Sequence, residues 1–278
     1  MSILPDHQAD VELILSKRYD LGWDYWTTQD KQLGKGGAFS TLASTAMLVE
    51  LGMDPNHPVL REVVDLLYSC QLPDGRFRVY PTGSVYPCHT INAATLLCQL
   101  GMSKEDPLKK TFQHLYDIQH TDGGWRCKKF SYGHGPETLY SNPGTTLNAL
   151  NAFRYTEDLN RKLALDQAVE FLLDHWEIRT PLGPCHYGIG TLFMQVEYPF
   201  ANYNLFLYVY VLSFYHRAKK DLRFLEALDL LESKLLERQV VVERGSPALK
   251  GLTFCKKGQP SILATRRFEE IKENLKFV

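Results

Sequence analysis

The chain of 278 residues carries 31 Lys and Arg against 32 Asp and Glu, a net charge of -1 at neutral pH, with 44% hydrophobic and 23% charged residues. That balance gives no electrostatic drive toward nucleic acid, and the length provides enough interior to fold without disulfides or metal. The longest apolar stretch, Leu205 to Tyr215, is too short to span a bilayer, and Met1 to Asp10 lacks the basic and apolar regions of a signal peptide. The six cysteines have no paired spacing and read as reduced thiols. The expectation is a cytoplasmic protein with no transmembrane segment.

Two kinds of helical segment alternate along the chain. Phe39 to Gly52, Cys88 to Gly101, Asn142 to Phe153, Tyr198 to Tyr215 and Pro260 to Leu275 form one kind, and the second, third and fourth of these contain no Asp, Glu, Lys or Arg. A helix uncharged on every side is a buried one. Between them lie amphipathic segments: Pro58 to Cys70, Asp106 to Ile118, Arg161 to Trp176 and Asp221 to Arg238. Leu60, Val64, Leu67 and Cys70 recur 48 positions later as Leu108, Phe112, Leu115 and Ile118. Their steps of three and four put them on one helix face. Both segments end alike, in Gln71-x-x-Asp74-Gly75-x-Phe77 and Gln119-x-x-Asp122-Gly123-x-Trp125.

A fixed period of this size signals a repeat architecture. Pro87, Pro143 and Pro199 are spaced by 56 residues, and each has an asparagine five positions later: Asn92, Asn148 and Asn204. Proline opening a helix and glycine just past its end (Gly52, Gly101) agree with helix punctuation. The reading is all-α, about five helical hairpins of outer and inner helices, with one domain over 1–278 and a loop over Val240 to Gln259.

The Gln-x-x-Asp-Gly-x-aromatic endings, followed by Pro87-Cys88-His89-Thr90 and Pro143-Gly144-Thr145-Thr146, resemble the repeats of the squalene cyclase and protein prenyltransferase β-subunit superfamily. The likeness covers about Gly36 to Tyr215. It implies an (α/α) toroid of inner and outer helix rings around a deep apolar cavity, with Gln71, Phe77, Gln119 and Trp125 tying neighbouring hairpins together. The family's activity motifs are missing. Cyclases of this group carry Asp-x-Asp-Asp before the threonine that opens one inner helix, where this chain has Tyr86-Pro87-Cys88-His89; it also lacks Asp-Asp-x-x-Asp and the Asp-x-Cys that helps prenyltransferases hold zinc. A divergent member is implied, acting on an isoprenoid or other apolar small molecule by cyclisation, isomerisation or prenyl transfer.

The residues themselves suggest where chemistry could lie. Cys88 and His89 break their own repeat at the start of an inner helix, so they are candidates for acid, base or ligand roles at the rim of a pocket. With Cys185 and His186 they would make four soft or borderline ligands, an arrangement for zinc and a second reading as a zinc-dependent transferase. Glu137 and Glu197 stand just before inner helices, where a buried carboxyl with raised pKa donates a proton. Tyr86, Phe200 and Tyr203 are candidate cavity walls, because ring faces stabilise cations. Asn92, Asn148 and Asn204 either bond across inner helices or touch substrate. Arg78 and Arg126, equivalent across the 48-residue step, could hold a diphosphate. A third reading is a non-catalytic toroid that binds a lipid, peptide or partner protein.

Overall fold

The computed structural model describes residues 7–276. Eleven α-helices account for nearly all regular structure among them: α1 (Gln8–Ser16), α2 (Thr41–Glu50), α3 (Pro58–Ser69), α4 (Pro87–Gln99), α5 (Asp106–Asp117), α6 (Pro143–Phe153), α7 (Leu163–Ile178), α8 (Leu205–Leu212), α9 (His216–Lys219), α10 (Leu222–Glu232) and α11 (Ile262–Lys276). The one sheet among the described residues is a hairpin of β1 (Leu235–Leu236) and β2 (Gln239–Val240). It falls where the sequence predicts the end of a helix and the start of a loop. No helix among the described residues is long and apolar enough to cross a membrane.

The residues group into two compact units. The first runs to Leu115 and includes the returning segment Ser246–Phe254. That segment is anchored by buried Asp10 of α1, whose carboxylate accepts from Thr253 N at 2.7 Å, Thr253 Oγ1 at 2.8 Å and Phe254 N at 3.0 Å. In this unit α2 packs beside α4, and α3 lies against both. The second unit runs from Tyr116 to Gly245 and resumes at Cys255. There α6 and α11 pack against α8, α7 packs against α6, α10 packs against α8, and α7 and α10 pack against each other.

Burial follows the division into charged and uncharged helices. All eight residues of α8, nine of eleven in α6 and eight of thirteen in α4 are buried, against five of twelve in α3 and four of twelve in α5. Side chains without charge can be sequestered on every face, whereas the outer helices must keep a stripe in water.

The repeated motif is a joint with the same parts in both units. Gln71 donates through Nε2 to the Pro107 carbonyl and to Thr111 Oγ1, both at 2.9 Å, pinning the turn to the next outer helix, α5. Gln119 donates to the Ala164 carbonyl of α7 at 2.8 Å. Gly75 and Gly123 both have φ of +87°, and a Cβ on either would come within 2.6 Å of backbone in that same helix, at Lys110 and Gln167. The aromatic side chain is fully buried in each copy, and its backbone N–H donates to the threonine that opens the next inner helix: Phe77 to Thr90 Oγ1 at 3.1 Å, Trp125 to Thr146 Oγ1 at 3.0 Å. A third copy stands near the N-terminus, with the polarity of the bond reversed. Thr41, opening α2, donates its hydroxyl to the carbonyls of Tyr25 and buried Trp26 at 2.8 and 3.2 Å.

The repeat does not extend to α8. Pro87 and Pro143 are the first residues of α4 and α6, but Pro199 precedes α8 by six positions, and the intervening residues are not helical. The three asparagines therefore do not share one position. Asn92 is exposed on α4 and Asn148 half-buried on α6, whereas buried Asn204 is the N-cap of α8, accepting from Leu207 N at 3.0 Å and donating to the Asn202 carbonyl at 2.8 Å.

Replacing Trp125 by Ala should cost about 3 to 5 kcal/mol, the range for removing a fully buried large aromatic. Gly123→Ala should also destabilise, because it meets both a positive φ and a backbone clash. Chemical denaturation of both variants checks this, and near-wild-type midpoints would contradict the joint.

Candidate functional site

The predicted residues fall into separate local settings. In the first unit, the extended Tyr86 leads into Pro87, and α4 then carries Cys88 and His89 on its first turn. Buried His89 lies between two tyrosines, with ring centroids 5.3 Å from Tyr80 and 5.4 Å from Tyr86, the latter edge-on at 89°. Cys88 is half-buried, and the exposed side of α4 continues through Asn92, Thr95 and Gln99. This stripe of small and amide side chains is the accessible face of an otherwise buried helix. Arg78 donates to the Gly83 carbonyl at 3.3 Å within its own loop.

In the second unit, Arg126 makes the corresponding bond, from Nη2 to the Thr138 carbonyl at 2.8 Å. Each arginine thus braces the loop between its joint and the next inner helix. Glu137 lies in the same loop on a short 3-10 turn, and its Oε1 accepts from Gly135 N at 3.0 Å and His134 N at 3.2 Å. Those N–H donors, Gly135 first, hold its pKa below the usual range. These bonds favour the ionised form of Glu137, the opposite of what a proton donor needs.

Glu197 has the opposite surroundings. It is 3% exposed, and burial raises its pKa, opposed by a hydrogen bond from Asn202 and by the charge of Arg244. Asn202 Nδ2 donates to Oε1 at 2.6 Å, while Oε2 lies 3.7 Å from Arg244 Nη1 with no hydrogen-bond partner. Desolvation outweighs a pair that long, so this carboxyl holds a proton to higher pH than an ordinary glutamate. Phe200, in the same segment, stacks on Tyr210 at 5.4 Å and meets Phe206 edge-on at 5.0 Å.

Tyr203 belongs to a different cluster. Its hydroxyl is 3.0 Å from His175 Nδ1, and its ring packs 4.7 Å from Phe193. His175 Nε2 is 3.0 Å from the Thr180 carbonyl, which can only accept, so Nε2 carries the proton and Nδ1 accepts from Tyr203. Burial pushes the His175 pKa down to about 4, against hydrogen bonds to the Thr180 and Tyr187 carbonyls.

The four-ligand zinc arrangement is not assembled. No three His, Cys, Asp or Glu side chains gather as metal ligands among the described residues. The Cys185 thiol donates instead to the carbonyls of Cys127 at 3.1 Å and Phe130 at 3.6 Å, and the Cys127 interaction, with burial, keeps it protonated. His186 is exposed, on a residue with φ of +58°.

An open pocket of about 610 Å³ lies in the second unit, between α7 and the turn of the second joint, lined by Asp122, Gln167, Glu170, Phe171, Asp174, Ile178 and Leu182 among others. Cys88 and His89 are not among the residues that line it. Its carboxylates are already partnered. Arg223 donates to Glu170 at 2.6 Å and to Asp174 at 2.7 Å. Burial would raise the Asp122 pKa, but hydrogen bonds from Ser141 and Gly124 keep it low. In this cleft Asp122 is engaged within the joint by Ser141, while Glu170 and Asp174 tie α7 to Arg223 of α10.

His175, Tyr80 and the Trp26–Thr41 joint were not singled out by sequence. The histidine ends an amphipathic stripe and reads as an ordinary helix residue. The Trp-to-Thr spacing differs among the copies and hides the third joint. No family model and no curated protein matches the chain.

Two pH effects of opposite sign follow. His175 binds a proton less readily folded than unfolded, so its contribution is intact above about pH 6.5 and lost toward pH 4, roughly 3 kcal/mol in all. Glu197 binds one more readily folded, so stability falls as pH rises through the carboxylate range. His175→Asn should flatten the acid limb of a melting-temperature profile. Glu197→Gln should melt no lower than wild type at pH 7, and a large loss there would contradict the desolvated-carboxyl assignment.

Proposed function

We propose that the hairpins close into a single-domain (α/α) toroid of the squalene cyclase and prenyltransferase β-subunit type, divergent in its site, and that the protein acts on an isoprenoid or similarly apolar substrate. What supports the family likeness is the repetition of the joint: the same glutamine, glycine, buried aromatic and helix-opening threonine recur with the same bonds. What favours acid-started cyclisation or isomerisation over the other reactions is Glu197, the one predicted acid whose surroundings raise its pKa.

In such a reaction the Glu197 carboxyl gives its proton to a carbon–carbon double bond, leaving a carbocation and a carboxylate. Loss of a proton from a neighbouring carbon back to the carboxylate completes the isomerisation or ring closure and restores the acid. Ring faces in the same segment, Tyr198 and Phe200 among them, are suited to stabilise the cation. The start of α4, with Tyr86, Cys88 and His89, is proposed independently as a place of substrate contact in the first unit.

The test is incubation of the purified chain with squalene and with farnesol in deuterated buffer, followed by mass spectrometry of the products. The expected result is an isomeric or cyclised product carrying deuterium. Turnover should fall about 10²- to 10⁴-fold in Glu197→Gln and decline as pH rises through the Glu197 titration. No conversion of either substrate, or full turnover by Glu197→Gln, would overturn the proposal.

A further inference from the structure

The residue that follows α6 is a guanidinium without an ion-pair partner. Arg154 donates from Nε to Asn151 Oδ1 at 2.8 Å and from Nη2 to the Tyr155 hydroxyl at 2.5 Å. No carboxylate of the described residues lies within ion-pair distance of it. Three rings enclose it instead, their centroids 4.3 Å (Tyr155), 4.4 Å (Phe214) and 5.0 Å (Tyr210) from its central carbon. Its surroundings keep it charged: burial works against the charge, but Tyr155, Tyr210 and Glu270 outweigh it.

The nearby acid is already shared. Glu270 Oε2 accepts from the Tyr210 hydroxyl and from Arg267 Nη1, both at 2.8 Å. Glu270 is therefore engaged by Arg267 and Tyr210, and it makes no direct pair with Arg154. The Arg154 Nη1 group has no acceptor among the described residues, and the residue keeps partial exposure to solvent, as do Tyr155 and Phe214. A desolvated cation is costly unless something completes its hydrogen bonding. Ring faces supply part of that, but they do not accept in the plane of the guanidinium fork.

We propose that Arg154 is the anchor of a binding site for a monocarboxylate carried on an apolar body. The planar guanidinium fork matches the two oxygens of a carboxylate. The part-exposed rings beside it would take the apolar portion. The site does not depend on the isoprenoid reading, since neither Glu197 nor the α4 residues take part.

Isothermal calorimetry with dodecanoate and dodecanol, both below their aggregation limits, tests it on the full chain. Dodecanoate should bind at least tenfold more tightly than dodecanol. Arg154→Gln should remove that preference, and Arg154→Lys, which keeps the charge but not the fork, should weaken dodecanoate binding about tenfold. Should Arg154→Gln fail to fold, Glu270→Gln decides the matter: it removes the competing negative charge and should tighten dodecanoate binding several-fold, a gain that structural damage would not produce. Equal binding of acid and alcohol, no binding of dodecanoate to the wild type, or unchanged affinity in Glu270→Gln would overturn the proposal.

Discussion

The fold depends on a hydrogen bond between a buried backbone N–H and a threonine hydroxyl. After each outer helix the chain must turn back toward the buried helices, and a turn cannot be buried unless its polar backbone groups find partners. Phe77 and Trp125 bury their rings in that turn, which obliges their N–H groups to be satisfied inside the protein. Thr90 and Thr146, each in the first turn of the next inner helix, provide the acceptors. The bond thus fixes both the end of one hairpin and the start of the next. The glutamine, reaching a carbonyl of the following outer helix, fixes the remaining side. Glycine is required because the turn approaches that helix backbone more closely than any side chain permits.

Burial of charge decides the character of the residues around this frame. Glu137 and Glu197 are both glutamates placed before an uncharged helix, yet one is held as an anion by backbone N–H groups and the other is pushed toward its protonated form by desolvation. His175 is forced neutral in the same way. Arg154 shows the opposite outcome: desolvation works against its charge, but the electrostatics of its neighbours, Glu270 among them, outweigh it and the cation persists. Surface pairs elsewhere, such as Lys109 with Asp106, contribute little because water screens them.

The helical framework was legible in the sequence because its two signals are local and redundant. Charge-free segments mark the buried helices, and the 48-residue echo marks the joints. The α8 region was misread for an equally physical reason. A Pro and an Asn at the right spacing mimic the repeat, but Asn204 caps a helix that begins later, so its side chain is spent on Leu207 N. The functional candidates were less legible, since a pKa depends on what comes near the group from distant parts of the chain. Nothing in the local sequence separates Glu137, facing its own backbone, from Glu197, facing Asn202 and Arg244. Arg154 did carry a signal: it is the first charge after the uncharged stretch 142–153, set between Phe153 and Tyr155.

The joint is tested most directly by amide hydrogen exchange at Phe77 and Trp125. Both amides lie outside regular secondary structure, where exchange is ordinarily fast. If buried threonine hydroxyls hold them, each should exchange only through global unfolding, with protection matching that of the α6 core, and Thr146→Val should release the Trp125 amide. Exchange of both wild-type amides at the rate of exposed loops would contradict the account.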